Sequence, residues 1–178
     1  MDSTISVHEQ IYEIVCLLGK GKGGYSYLVK KDNQYYVVKQ IHHEPCDYYQ
    51  FSNKLNSEIR DYHRLKELGI RMPTLLEVDE EKERILKEYI EGETIFEWVK
   101  QDKPLKDAKE QLKKMCEILY QNHLNIDYYP TNFIMQNGIL FYIDYECNSY
   151  MEEWNFENWG YQYWEKSDAF LKVLNKDA

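Results

Sequence analysis

The chain has 178 residues, a length that suits one domain or two small lobes. Its residues are 43% hydrophobic and 15% aromatic, so the chain can bury a core and lacks the composition of a disordered protein. The formal net charge of −9 repels phosphate backbones, which argues against nucleic acid as a partner.

Neither the N-terminal sequence nor the hydropathy predicts targeting to a membrane. The first residues, MDSTISVHEQ, are polar and acidic, unlike a signal peptide, and no apolar run approaches the roughly 18–20 residues of a membrane span. The cysteines are spaced too widely for a disulfide framework or a thiolate zinc site, and they are Cys16, Cys46, Cys116 and Cys147. We therefore expect a soluble, cytoplasmic protein without a membrane partner.

The first half of the chain predicts an antiparallel sheet with one helix. Apolar, β-branched and aromatic runs predict five strands, over 11–18, 25–31, 35–41, 74–79 and 84–90. Apolar residues at helical spacing predict a helix after the third strand, and they are Phe51, Leu55, Ile59, Tyr62 and Leu65. Gly69 suits the position after the helix C-terminus. The predicted fold class is therefore α+β.

The second half predicts more helix than strand. A helix is expected over 107–123, and its apolar stripe is formed by Leu112, Met115, Cys116, Leu119 and His123. After a loop over 125–131, two short apolar runs, 133–136 and 139–143, flank Asn137-Gly138. Asn-Gly between apolar runs is the strongest short signal for a β-hairpin.

The end of the chain is crowded with aromatic residues. They are Trp154, Phe156, Trp159, Tyr161, Tyr163 and Trp164, and a further helix is expected around Phe170. This aromatic tail either packs against the rest of the fold or forms a surface for a protein partner, since Trp and Tyr are enriched in binding hot spots.

A glycine-rich run joins the first two predicted strands, with Gly19, Gly21 and Gly24 in a G-x-G-x-x-G pattern. Glycine lets a backbone approach a phosphate group closely, with its N–H groups directed at the phosphate. A dinucleotide-binding site needs a helix after the glycines, whereas a strand pattern follows here. The run predicts either a plain hairpin turn or a glycine-rich hairpin over phosphate groups.

Lys39 lies in the third predicted strand, and Glu58 lies in the helix that follows. Taken singly, each is the kind of charged residue that usually faces solvent. A lysine that binds phosphate groups needs an acidic partner, because its long side chain is otherwise flexible. The two residues together are therefore a candidate phosphate-binding pair.

Acidic and amide residues flank the predicted hairpin. Asp127 and Asn132 precede it, and Asp144 follows its second strand. Asp127 can serve turn formation alone, or it can orient an attacking hydroxyl group and accept its proton. Asn132 and Asp144 carry oxygen donors of the kind that Mg²⁺ prefers.

These features follow one another in an order that resembles the protein-kinase-like superfamily, over about residues 12–147. The resemblance implies a two-lobe fold. Residues 1–90 would form an N-lobe with a five-stranded antiparallel sheet and one helix. Residues 91–178 would form a truncated, mainly helical C-lobe with a metal-binding β-hairpin.

The resemblance also implies how ATP and Mg²⁺ would be bound. The glycine-rich run would cover the phosphates, and Lys39, paired with Glu58, would bind them. Backbone groups of Glu88 and Ile90, in the segment 87–92, would form hydrogen bonds with adenine.

The catalytic and metal-binding residues implied by the resemblance lie in the second half of the chain. Asp127 would position the acceptor hydroxyl group and accept its proton, and Asn132 and Asp144 would hold Mg²⁺.

Departures from the family pattern are typical of its atypical branches. The usual H-R-D motif is N-I-D at 125–127, so Asn125 would take the structural role of the histidine, and Ile126 cannot pair with a phosphorylated loop. The usual D-F-G motif is D-Y-E at 144–146, and Lys87 stands where the family usually has an apolar residue. The D-Y-E ending and the Y-I-E-G segment at 89–92 resemble the Bud32 and RIO types and the aminoglycoside and choline kinases.

The expected function is therefore transfer of the γ-phosphate of ATP to a hydroxyl acceptor, with Mg²⁺ bound. The residues leave the acceptor open. An atypical minimal Ser/Thr protein kinase suits the length of the chain. The alternatives are a small-molecule kinase of the aminoglycoside or choline type and a pseudokinase or nucleotide-binding scaffold that transfers nothing.

Overall fold

The structure, a computed structural model, describes residues 3–44 and 53–177. Cys46 and Phe51, which the sequence analysis named, lie outside the described residues. The chain divides into two compact units, one of Met1–Arg60 with Pro73–Tyr89 and the other of Asp61–Met72 with Ile90–Ala178. The assignment of residues 1–90 and 91–178 to kinase lobes remains a prediction.

A six-stranded antiparallel sheet forms the basis of the first unit. Its strands are β1 (Thr4–Val7), β2 (Gln10–Lys20), β3 (Gly24–Lys31), β4 (Gln34–Ile41), β5 (Leu75–Asp79) and β6 (Arg84–Glu88). They are arranged in the order β1-β2-β3-β4-β6-β5. The strands that the sequence predicts are all present, but the predicted number of five is wrong. The missed strand, β1, is short and pairs with the start of β2.

Alternating side chains of these strands fill the interior of the curled sheet. The buried cluster consists of Ile5, Val7, Tyr12, Val29, Val38 and Leu86. The turn between β3 and β4 contains Asp32 and Asn33, whose φ angles are 50° and 64°. Such a backbone matches the twist of a two-residue hairpin, and Asn and Asp tolerate it well. Arg84 of β6 donates a hydrogen bond to the carbonyl of Ser6 in β1 (2.7 Å), although these strands are not neighbours in the sheet.

Helix α1 (Lys54–Glu67) is the helix predicted between the third and fourth strands. The buried members of its apolar stripe are Leu55, Tyr62 and Leu65. Gly69 has a φ of +83°, and its N–H group donates to the carbonyl of Lys66 (3.0 Å). The N–H group of Ile70 donates to the carbonyl of Leu65 (3.1 Å). These two bonds form a Schellman motif, so the predicted role of Gly69 is confirmed.

The second unit combines helices with two small sheets. Its helices are α2 (Ile95–Lys100), α3 (Lys106–Gln121) and α4 (Asp168–Lys176). Its strands are β7 (Leu124–Ile126), β8 (Phe133–Gln136), β9 (Ile139–Tyr142) and β10 (Cys147–Ser149). Strand β7 pairs with β10, and β8 pairs with β9, in both cases antiparallel. No helix in the described part of the chain is long and apolar enough to cross a membrane.

Helix α3 and the β8–β9 hairpin match their predictions closely. The predicted stripe of α3 is buried at Leu112, Met115, Cys116 and Leu119. The prediction that His123 belongs to this stripe is wrong, because His123 is exposed and lies beyond the helix with a φ of 57°. The hairpin turn consists of Asn137 (φ 50°) and Gly138 (φ 78°), as the Asn-Gly signal predicts.

The aromatic tail is partly buried within the second unit. Trp164 is fully buried, and its Nε1–H group donates to the carbonyl of Tyr128 (2.8 Å). Gly160 allows this close packing, since a Cβ there would lie 2.6 Å from the Cβ of Tyr128. Trp154, by contrast, is 51% exposed. Packing therefore explains Trp164, whereas a partner surface at Trp154 remains a prediction.

Candidate active site

Glycines form the connection between β2 and β3, as the sequence predicts. The N–H group of Gly21 donates to the carbonyl of Gly24 (2.9 Å), which closes the loop. A Cβ at Gly24 would overlap the carbonyl oxygen of Gln40 in β4, so close strand packing already requires that glycine. A Cβ at Gly19 would meet nothing within 4 Å. The role of these glycines at phosphate groups remains a prediction.

Lys39 and Glu58 form an ion pair in the first unit. The Lys39 Nζ atom lies 2.5 Å from the Glu58 Oε1 atom, and the two side chains are only 15% and 10% exposed. The ammonium group also lies beside the glycine-rich loop, because a Cβ at Gly23 would be 3.7 Å from Lys39 Nζ. The structure therefore brings together a lysine, its acidic partner and a glycine backbone.

His42 holds the glycine-rich loop from the end of β4, which the sequence analysis missed. Its backbone N–H group donates to the carbonyl of Gly23 (3.2 Å), and its Nε2 atom lies 2.9 Å from the carbonyl oxygen of Gly21. Lys54 donates from Nζ to the carbonyl of His42 (2.7 Å). No sequence signal marks His42, because its role depends on the pairing of strands.

Asp127 follows strand β7 and begins the loop that leads to the β8–β9 hairpin. Its Oδ1 atom accepts a hydrogen bond from the N–H group of Tyr129 (3.1 Å), which fixes the carboxylate in a local turn. The Asn132 side chain donates from Nδ2 to the carbonyl of Asp127 (3.4 Å). The Asn132 carbonyl in turn accepts from the N–H group of Ile143 (2.9 Å), the residue before Asp144. Hydrogen bonds thus connect the segments that carry Asp127, Asn132 and Asp144.

The segment after strand β9 is held by residues in the middle of helix α1. Asp144 accepts a hydrogen bond at Oδ1 from the N–H group of Tyr145 (2.8 Å). The buried ring of Tyr145 packs on Tyr62, with 4.5 Å between the ring centroids. The buried carboxylate of Asp61 accepts a hydrogen bond from the N–H group of Cys147 (3.3 Å). These contacts leave the Asp144 backbone little freedom.

Tyr142 lies among the carboxylates of this loop region. Its hydroxyl group donates to the carbonyl of Glu146 (2.8 Å) and accepts from the N–H group of Asp127 (3.3 Å). Burial raises the pKa of the phenol well above its ordinary value. The negative charges of Asp144, Asp127 and Glu146 raise it further, so the hydroxyl group stays protonated and available as a donor.

Asn125 has a buried side chain with partners on two other segments, and the histidine-like role that the sequence analysis gave it remains a prediction. Its buried side chain donates from Nδ2 to the carbonyl of Met151 (3.0 Å). Its Oδ1 atom accepts from the Tyr128 hydroxyl group (3.4 Å). The Asn125 side chain therefore braces the chain at Met151, and its backbone pairs with Asn148 of β10.

The two residues predicted to contact adenine lie in different surroundings. Glu88 ends strand β6, and its N–H group donates to the carbonyl of Thr74 (2.9 Å). Ile90 is buried. Lys87, which stands at an apolar position of the family pattern, is buried as well. An adenine contact by Glu88 or Ile90 remains a prediction.

The donor set for Mg²⁺ would be one carboxylate and one amide. No cluster of three or more His, Cys, Asp or Glu side chains that could hold a metal ion is present in residues 3–44 and 53–177. Asp144 and Asn132 nevertheless offer the hard oxygen donors that Mg²⁺ takes, usually alongside several waters and substrate phosphates. The Asn132 Nδ2 atom is directed at the Asp127 carbonyl, so the amide oxygen points away from that bond.

Comparison with known proteins finds a distant relative. No family model matches the chain. Over 91 residues it is 30% identical to the KEOPS complex subunit Bud32 of Pyrococcus abyssi. The match covers 49% of this chain and 41% of that protein, so it spans less than half of either. This weak homology agrees with the kinase-like resemblance of the motifs.

Proposed function

We propose that the chain is an ATP- and Mg²⁺-dependent phosphotransferase of the atypical kinase type. The observation that carries the proposal is the Lys39–Glu58 ion pair beside the glycine-rich loop. A lysine whose stem is held by a glutamate presents a fixed positive charge, which suits the α- and β-phosphates of ATP. The weak homology to Bud32 supports the same class.

The second unit would supply the groups for transfer. The Asp127 carboxylate, oriented by the N–H group of Tyr129, would hold the acceptor hydroxyl group in line and take its proton. Asn132 and Asp144 would hold Mg²⁺, which neutralises charge on the phosphate oxygens. The protein's contribution would be positioning and electrostatic stabilisation, since phosphoryl transfer needs little covalent chemistry from it.

A protein substrate is the acceptor that we propose, which makes the chain an atypical minimal Ser/Thr protein kinase. The match to Bud32 favours this over the aminoglycoside and choline type, and no contact of the described residues favours a small-molecule acceptor. A pseudokinase stays an alternative because N-I-D and D-Y-E replace the usual motifs.

A protein partner is a further part of the proposal. The relative bears the name of a complex subunit, and Trp154 and Met151 are each 51% exposed at the surface of the second unit. Exposed tryptophan next to methionine is typical of interfaces.

The test is a radiolabel experiment with Mg·[γ-³²P]ATP and three acceptor samples. They are the protein alone, histone, and a pool of hydroxyl-bearing metabolites. Label on protein supports the proposal, and label only on a metabolite supports the small-molecule kinase. Absence of label with a thermal shift on adding Mg·ATP supports the pseudokinase.

A further inference from the structure

Tyr142 joins the two segments that carry the proposed catalytic and metal-binding carboxylates. It is the last residue of β9, and its side chain is fully buried. Its hydroxyl group accepts from the backbone N–H group of Asp127 (3.3 Å) and donates to the backbone carbonyl of Glu146 (2.8 Å). A phenol has a single O–H group to donate, and its oxygen can also accept. In Tyr142 both the donor and the acceptor form hydrogen bonds with backbone groups of the loops.

Backbone pairing also connects these segments. Ile126 of β7 pairs with Cys147 of β10, directly beside Asp127 and Glu146. Tyr142 therefore supports the pairing from one side by means of a side chain. Removal of one hydroxyl group would loosen the link without breaking the strands.

We propose that Tyr142 is a positioning residue for phosphoryl transfer, an inference that rests on the proposed function. Its hydroxyl group sets the distance between the Asp127 backbone and the segment that bears Asp144. Asn125, which stands before Asp127 in the N-I-D motif, contacts Met151 and Tyr128 instead.

The substitution Tyr142→Phe removes the hydroxyl group and keeps the ring that packs on Phe133 (5.2 Å between centroids). Displacement of a reacting group by about 1 Å can cost roughly a hundredfold in rate. We expect kcat to fall about ten- to a hundredfold, with the KM for ATP unchanged within about twofold, because the proposed role of Asp127 is to position the acceptor and not ATP.

Tyr120→Phe is the matched control. The Tyr120 hydroxyl group also donates to one group, Glu157 (2.7 Å), and accepts from one backbone N–H group, that of Phe156 (3.0 Å). The control therefore removes a hydroxyl group of the same unit that also joins two segments, without touching the hydrogen bond at the Asp127 N–H group. We expect it to change stability and to leave kcat within about twofold of the wild type.

The experiment compares kcat and KM of both variants with histone as the acceptor and follows hydrogen exchange at the Asp127 amide. We expect Tyr142→Phe alone to lose kcat and to exchange the Asp127 amide at least about tenfold faster. Equal losses of kcat in both variants, or unchanged kcat in Tyr142→Phe, would overturn the inference.

Exchange in the wild type keeps the inference testable if Tyr142→Phe does not fold. An Asp127 amide that exchanges as fast as a solvent-exposed amide would overturn the inference. If the wild type is protected at this amide but transfers no phosphate, the proposed function is overturned. The Tyr142 hydrogen bonds would then have a structural role only.

Discussion

Lys39 and Glu58 have side chains that are mostly buried, and such a pair contributes little net stability. Removing two charges from water costs several kcal/mol for each ion, and their attraction only offsets that cost. Apolar side chains at both positions would stabilise the fold at least as well. The pair fixes an ammonium group beside a glycine backbone, and the proposed phosphate ligand offers a reason for it that fold stability does not.

Glu58→Gln tests this explanation. It leaves the Lys39 side chain without its carboxylate, at a cost of about 1.5–3 kcal/mol for a hydrogen bond to a charged group. We expect kcat/KM for ATP to fall roughly ten- to a hundredfold. Steady-state kinetics would measure it, with Glu67→Gln, at an exposed position of the same helix, as the control. Equal kinetics for the two variants would contradict the explanation.

Asp79 gives the first unit a pH dependence. Burial alone would raise the pKa of its carboxyl group, but hydrogen bonds from the N–H groups of Lys82 (3.0 Å) and His8 (2.6 Å) outweigh burial and lower it. A carboxylate whose folded pKa is lowered stabilises the fold above its unfolded pKa of about 3.9. That stabilisation is lost as the pH falls through the folded value.

Asp79→Asn should therefore destabilise the protein at neutral pH and much less in acid. We expect the difference in unfolding free energy between wild type and variant to shrink as the pH falls below about 4. Urea unfolding at a series of pH values measures it. A difference that stays constant down to about pH 2 would show that the charge of Asp79 is not involved.

Among the elements, the β2–β3 hairpin combines a structural and a proposed functional role. Gly24 is required for packing, because a Cβ there would overlap the Gln40 carbonyl oxygen and lie 3.3 Å from the Ile41 Cα. Gly19 has open space around the position of a Cβ. Packing therefore requires glycine at position 24 and places no such requirement on position 19.

The substitutions Gly24→Ala and Gly19→Ala distinguish the packing requirement from the proposed role at phosphate groups. We expect Gly24→Ala to lower the unfolding free energy by about 1–3 kcal/mol, in the range of overpacking. Gly19→Ala should leave stability within about 0.5 kcal/mol and raise the KM for ATP, if the loop covers phosphates. Urea unfolding and ATP kinetics measure the two effects. A destabilised Gly19→Ala with normal kinetics would contradict this division.

For the molecule as a whole, the sequence predicts the elements that have strong local signals. The Asn137-Gly138 hairpin, the glycine that ends α1 and the stripe of α3 all depend on neighbours in the chain. The elements that were missed are short. Helix α2 had a usable signal, because Thr94 accepts a hydrogen bond from the N–H group of Glu97 in a Thr-x-x-Glu pattern.

The candidate site shows the same limit. Motif order selected Lys39, Glu58, Asp127 and Asn132 as candidates, and the structure brings the first two and the last two together. The role of Tyr142 was not predictable, because it depends on contacts between segments that are distant in the chain. Local sequence patterns indicate which residues are candidates for the site. The backbone groups that their side chains contact depend on pairing between segments that are distant in the chain.

The measurement that tests the account most directly is γ-phosphate transfer from Mg·ATP by the wild type and by Asp127→Ala, with Mg·ATP binding followed in parallel. Asp107→Ala, at an exposed aspartate of helix α3, is the control. We predict that the wild type and the control transfer phosphate, whereas Asp127→Ala binds Mg·ATP and transfers none. Equal transfer by Asp127→Ala and the wild type would contradict the account.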